Sequence, residues 1–187
     1  MKDPALFYEL QKTCLGTAAI VWREDKSCPR IVQIYLPAPA ETIRRKLRIA
    51  FPGAARKTCG TVDKLRDGIC AFMEGRAVPF ETGAFDIGRV PPYHRKVLGA
   101  MATIPRGKVS SYGGVALKTG VPGGARAAGQ GCGKNPFPIV FPCHRVVRSD
   151  RTLGGFGGGL RLKRALLEME GIQFDSDGKV KPEFILR

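Results

Sequence analysis

The sequence predicts two domains: an α/β domain of antiparallel strands plus helices over residues 1–88, then a mostly α, helix-turn-helix-like domain over 89–187. Three observations predict it. Two runs rich in β-branched and aromatic residues lead into two amphipathic helical patterns, the charge composition changes near Gly88, and a pair of short glycine-punctuated helical segments follows that change. A chain of 187 residues can bury a sizeable core, and 43% hydrophobic with 25% charged residues is ordinary for a soluble globular protein.

The first two elements are TAAIVWRE (17–24) and RIVQIYLP (30–37), separated by a polar, proline-containing turn as in a hairpin. ETIRRKLRIAF (41–51) places Ile43, Leu47, Ala50 and Phe51 on one helical face, and VDKLRDGICAFMEG (62–75) does the same with Val62, Leu65, Ile69, Phe72 and Met73. These stripes are core. Beyond Pro91-Pro92 a further helix turns Val97, Leu98, Met101 and Ala102 inward. IPRGKVSSYGGVALKTGVPGGARAAGQGCGKN then reads as turn, helix, turn, helix, with Ser111 as N-cap, Val115 and Ala116 inward, Gly120 ending the first helix and Pro122 in the first turn of the second. The second helix is almost all Gly and Ala, a poor helix former, since each Gly costs about 1 kcal/mol relative to Ala. Small side chains there let a backbone press into a narrow groove, with Arg126 its one long projection; a loop, or a helix packed tightly on a neighbour, is the plainer alternative.

Net charge is +15, unevenly spread: from Ile87 to Ser149 there is no Asp or Glu, against ten Lys and Arg. A solvated face mixes signs, so this field points to a phosphate backbone. No window of bilayer-spanning length is free of charge, and no basic amphipathic helix with a broad aromatic face accompanies the field, so no membrane partner is expected. MKDPALFYELQ lacks the basic-then-apolar form of a secretory signal, which sets an intracellular, cytoplasmic location as the expectation (nuclear in a eukaryote). Six cysteines without a CxxC pair argue against a disulfide framework or a structural zinc site; most are small buried hydrophobes. GQGCGKN and GGFGGGL fit neither a P-loop nor a dinucleotide fingerprint.

Chemistry concentrates in NPFPIVFPCHRVV (135–147), which holds one of only two histidines. PIVF reads as a buried strand ending at Pro142, which places Cys143 and His144 on the turn that follows. A lone cysteine is most often structural. One in a turn, beside a histidine and within a basic segment, can act as a thiolate nucleophile, given a third group to orient the imidazole.

PCHRVV, preceded by KNPFPIVF and followed by a glycine-rich stretch and LLEMEG, resembles the O6-alkylguanine-DNA alkyltransferase family. IPRGKVSSYG and ARAAGQGCGKNP match that family's helix-turn-helix in order and spacing, so the resemblance runs from about Pro92 to Gly171. It implies a ribonuclease-H-like first domain, a winged helix-turn-helix in the second, and a DNA repair protein that moves an alkyl group from guanine O6 irreversibly to Cys143 in a single turnover after base flipping. It also implies a monomer that binds double-stranded DNA containing O6-alkylguanine through the minor groove; the chemistry calls for no redox or metal cofactor, although some members of that family hold a zinc ion in the first domain through Cys and His ligands.

Position by position, Cys143 is implied as acceptor, His144 as the base acting through a water, Glu170 as its orienter (ahead of Glu168, which lies off the motif), Tyr112 as proton donor to the flipped base, and Asn135 as a brace of the turn. Arg126 would enter the duplex, flanked by Ser111, Ala125, Ala127 and Gly129 against the DNA. Pro138, Phe156, Gly157 and Gly158 would form the substrate pocket. Three departures stand out: no histidine precedes His94 to complete a zinc set, Phe156 stands where tyrosine is common, and Gly157 stands where serine often sits. The glycines would loosen the pocket. Three rivals remain: a non-catalytic lesion-binding module, which would carry another residue at position 143; a cysteine hydrolase, whose dyad seldom comes from sequence neighbours; and a transcription regulator, which leaves the PCHR turn unexplained.

Overall fold

The computed structural model describes residues 5–25 and 28–186, in two compact units, the first ending at Ile87 and the second beginning at Gly88. The composition change places this division one residue later.

The first unit is a four-stranded sheet with two helices. β1 (Leu6–Thr13) and β2 (Gly16–Arg23) form a tight antiparallel hairpin, and β3 (Arg30–Ala38) extends it antiparallel along β2. Gly16 takes φ +121° at the hairpin, where a side chain would strain and its Cβ would meet the Ala38 backbone at 3.0 Å. The short β4 (Ala55–Arg56) pairs parallel to β1, so the sheet is mixed rather than antiparallel throughout, in the order β3-β2-β1-β4. β1 escapes a reading by pattern because Glu9, Gln11 and Lys12 interrupt its apolar alternation.

β2 is buried on both faces. Ala19 and Val21 pack with Ile43 and Leu47 of α1 (Ala40–Ala50), while Ala18, Ile20 and Trp22 on the other side are equally buried. Ala50, expected inward, is exposed and Phe51 only half-buried, because the helix ends there and its last turn leaves the sheet. α2 (Gly60–Met73) buries all five residues of its expected stripe, Val62, Leu65, Ile69, Phe72 and Met73.

The second unit begins with α3 (Pro92–Ala102), whose buried residues are Val97, Leu98, Ala100 and Met101; Ala102 is exposed, since it sits one position past the inward face. α4 (Tyr112–Lys118) is capped as expected: the Ser111 hydroxyl accepts the Gly114 N–H at 3.0 Å, and Gly120 follows the helix with φ +80°. α5 (Ala125–Gly133) is a helix despite its composition. Pro122 lies in the turn before it rather than in its first turn. β5 (Ser110–Ser111) and β6 (Val146–Val147) form a two-stranded parallel ladder, and α6 (Leu160–Met169) closes a core of Val109, Val147, Leu167, Ile172 and Val180.

PIVF, expected as a strand, is a compact turn. Ile139 sits at φ +75°, in the left-handed region that disfavours β-branched residues. Two bonds from Asn135 hold it there: its amide nitrogen donates to the Phe141 carbonyl (2.7 Å) and its amide oxygen accepts the Phe137 N–H (2.9 Å). Phe137, Ile139, Val140 and Phe141 are all buried, so the apolar run fills the core without pairing to a neighbouring strand.

Candidate active site

Cys143 opens a single 3-10 turn, Cys143–Arg145, between the Asn135-braced segment and β6. Its N–H donates to the Phe141 carbonyl at 2.8 Å, so the position of the sulfur is set by the same carbonyl that Asn135 holds. Only 8% of Cys143 is exposed, yet it lines a pocket of about 200 Å³. Tyr112, Gly129, Cys132, Gly133, Gly155, Phe156 and Gly157 complete the lining. A Cβ built at Gly133, Gly155 or Gly157 would meet nothing within 4 Å, so the pocket owes part of its room to missing side chains.

Burial pushes the Cys143 thiol up, and the Asn135 amide, the Lys163 ammonium and the N–H groups of residues 143 and 144 pull against it. At neutral pH the sulfur holds its proton until a base takes it. His144 is fully buried, and its Nε2 lies 2.9 Å from Glu170 Oε1. Desolvation lowers its pKa, against the opposing pull of Glu170, which keeps the imidazole neutral at neutral pH. Glu170, the C-cap of α6, is itself buried, which raises its pKa, but bonds from His144 and Arg145 outweigh that and hold it at about 2. An ionised carboxylate facing Nε2 selects the Nε2–H tautomer and places the basic lone pair on Nδ1.

Two residues of this site receive no role from the sequence. Arg145 stands there within PCHRVV and the basic field without an assigned task; its Nε and second terminal nitrogen clamp Glu170 at 2.8 to 3.1 Å, and its other nitrogen donates to the Ile104 carbonyl at 2.7 Å. Lys163 is fully buried on α6 and donates to the carbonyls of Val146 (2.5 Å), Leu153 and Gly155 (3.4 Å), with its pKa lowered by burial to about 8. It therefore ties the Cys143 turn to the glycine-rich loop. A lysine close to Arg161 and Arg164 in LRLKRALL reads as surface, and only the fold reveals it as interior.

Tyr112 is the first residue of α4; its hydroxyl donates to the Gly155 carbonyl at 3.3 Å, and its ring lies 3.7 Å from where a Cβ on Gly129 would stand. Phe156 and Gly157 line the pocket; Pro138 is buried in the turn and Gly158 is exposed, both outside that lining. On α5, Ala125 and Arg126 are exposed and Ala127 and Gly129 half-buried, while the Ser111 hydroxyl is engaged in capping. Gly131, on the inner side of α5, packs so close to α3 that a Cβ would stand 2.9 Å from Val97. The inner face of α5 is thus tightly packed, as the plainer alternative expects, while its outward face carries small residues beside the exposed Arg126. Among the described residues no group of three or more His, Cys, Asp or Glu could hold a metal ion.

The family described as "6-O-methylguanine DNA methyltransferase, DNA binding domain" matches residues 92–172. A methylated-DNA–protein-cysteine methyltransferase of Mycobacterium tuberculosis is 41% identical over 118 residues, covering 63% of this chain and 68% of that protein. The chain belongs to this methyltransferase family. A relative of the same name from Methanothermobacter thermautotrophicus is 44% identical over 114 residues, 61% of this chain; the chain spans 64% of that relative's length. Among solved structures, the M. tuberculosis OGT in complex with DNA aligns with a TM-score of 0.70 at 30% identity, covering 88% of this chain and 92% of that one. The structural match thus takes in the α/β unit, which lies outside the family match at 92–172.

Proposed function

We propose that this methyltransferase-family member is a DNA repair protein that transfers an alkyl group, typically methyl, from guanine O6 in DNA to its own Cys143. One observation carries the reading: a buried cysteine lines a pocket, while the next residue in the chain is a neutral histidine locked on an ionised glutamate. His144 takes the thiol proton through a bridging water, the sulfur attacks the O6-alkyl carbon, the C–S bond forms as the C–O bond breaks, and the electron pair leaves on the guanine. A proton delivered at the base completes the exchange, and Tyr112, whose hydroxyl sits beside the pocket at Gly155, is placed to deliver it. The sulfur that results is a thioether with no leaving path, so each molecule acts once.

The pocket is too small for a stacked pair, and an O6 carbon inside a duplex is out of reach, so the base must be flipped. We place the exposed face of α5 in the minor groove, with Arg126 filling the gap in the stack, and we take the protein to act as a monomer inside the cell. The short β5–β6 ladder beside α4 supports a winged helix-turn-helix, and the mixed sheet with two helices supports a ribonuclease-H-like first unit. The experiment is to incubate the protein with DNA containing O6-methylguanine, digest it and weigh the peptide that holds Cys143. A gain of one methyl, absent in Cys143→Ala, is expected; an unmodified peptide with intact binding would assign the chain to lesion recognition without transfer.

A further inference from the structure

The first unit carries a charged surface that the transfer reaction does not use. Elsewhere in that unit, acids stand beside bases: Asp86 by Arg23 at 3.2 Å, Glu9 by Arg56 at 3.0 Å, Glu24 by Lys57 at 2.5 Å, and Asp63 and Asp67 by Arg66 at 2.5 and 2.9 Å. α1 breaks that pattern. Arg44, Arg45 and Arg48 share one helical face with a single acid, Glu41, which is paired with Arg44 at 4.0 Å and Arg48 at 3.0 Å, while Lys46 on the flank lies 5.9 Å over the Tyr35 ring. All four cations are exposed, because the helix buries only Ile43 and Leu47 against the sheet. Arg44 and Arg48, one turn apart, also rim a cleft of about 440 Å³ whose floor includes Tyr8, Leu47, Phe51 and Pro52. Guanidinium groups on the lip of an apolar cleft can flank a phosphate while the sugar lies on the floor.

We propose that this face of α1 grips the phosphate backbone of duplex DNA, a second contact carried by a different unit from the helix-turn-helix. The inference rests on the repair reading only for the choice of DNA as the polyanion. An anionic membrane fits less well: α1 spends its apolar stripe on the sheet and exposes one large apolar side chain, Ile49, too little for insertion.

The test uses the whole protein and a lesion-free duplex of about 30 base pairs, with affinity measured against salt concentration. The triple variant Arg44→Gln, Arg45→Gln, Arg48→Gln should flatten the log–log salt slope by roughly 2 to 3, at ~0.9 for each phosphate no longer neutralised. The matching Arg→Lys triple should keep the parent's slope. Transfer from free O6-benzylguanine, measured alongside, should be equal in parent and variants. If the parent transfers nothing, either from free O6-benzylguanine or from O6-methylguanine in DNA, the repair reading has failed; if it transfers and the Gln triple keeps the full slope, the second contact is refuted and the repair reading stands. A Lys triple that loses as much as the Gln triple also refutes it, by assigning the effect to packing. So does loss of binding to phosphatidylserine vesicles with the DNA slope unchanged.

Discussion

Glu170 receives His144 and Arg145 on one carboxylate inside the protein, so its charge is tied to both the chemistry and the stability of the turn. Its folded pKa of about 2 lies below the ordinary carboxylate value of 4.5, so its contribution is complete above about 4.5 and is lost as pH falls towards 2. His144 acts in the same direction: its folded pKa lies below 6.5, so the unfolded state binds a proton first and stability declines as pH drops below 6.5. Glu170→Gln should therefore show a shallower loss of stability between pH 4.5 and 2, read from urea midpoints, while costing about 3 kcal/mol at pH 7. It should also slow alkyl transfer by ~10²-fold or more, because Gln holds neither the tautomer nor the charge that His144 needs. A variant with parental acid sensitivity and parental rate would mean that Glu170 merely fills space.

At the scale of elements, α5 explains why so much glycine is tolerated in a helix. Its inner face needs Gly131 to approach Val97 of α3, and its pocket face leaves Gly129 beside the Tyr112 ring. Gly131→Val should lower thermal stability by about 1 to 3 kcal/mol through overpacking, and it should slow transfer by shifting Gly129 and Cys132 in the pocket wall. Gly133→Ala is the control: its Cβ would meet nothing within 4 Å, so helix propensity alone acts and the melting temperature should hold or rise slightly. Equal losses in both variants would assign the effect to helix flexibility rather than to the α3–α5 approach.

For the whole molecule the dominant physical fact is net charge, +15, with no acid from Ile87 to Ser149. On the repair reading proposed above, such a charge would speed the approach to nucleic acid without regard to sequence, which suits damage that can occur anywhere. Affinity for undamaged duplex should fall at least tenfold between about 50 and 200 mM salt, on the order expected when several phosphates are neutralised. Titration by fluorescence anisotropy reads this directly, and a salt-independent affinity would count against a backbone-led encounter.

The sequence alone determined the elements whose signals are local: the α2 stripe, the Ser111 cap, the acid-free field, and the Cys143-His144 pair within a motif rare enough to name its family. Apolar periodicity, capping and charge are written within a few residues, so they survive without a fold. Local signals failed where a distant partner sets the conformation. PIVF has strand composition, yet Asn135 and the core bend it into a left-handed turn at Ile139. Lys163 has surface composition, yet carbonyls on two other segments draw it inside. Arg145 is adjacent in sequence to the histidine it serves, but the carboxylate they share lies 25 residues further along the chain. Tertiary structure decided these cases because a buried polar group is stable only where the fold delivers its partner.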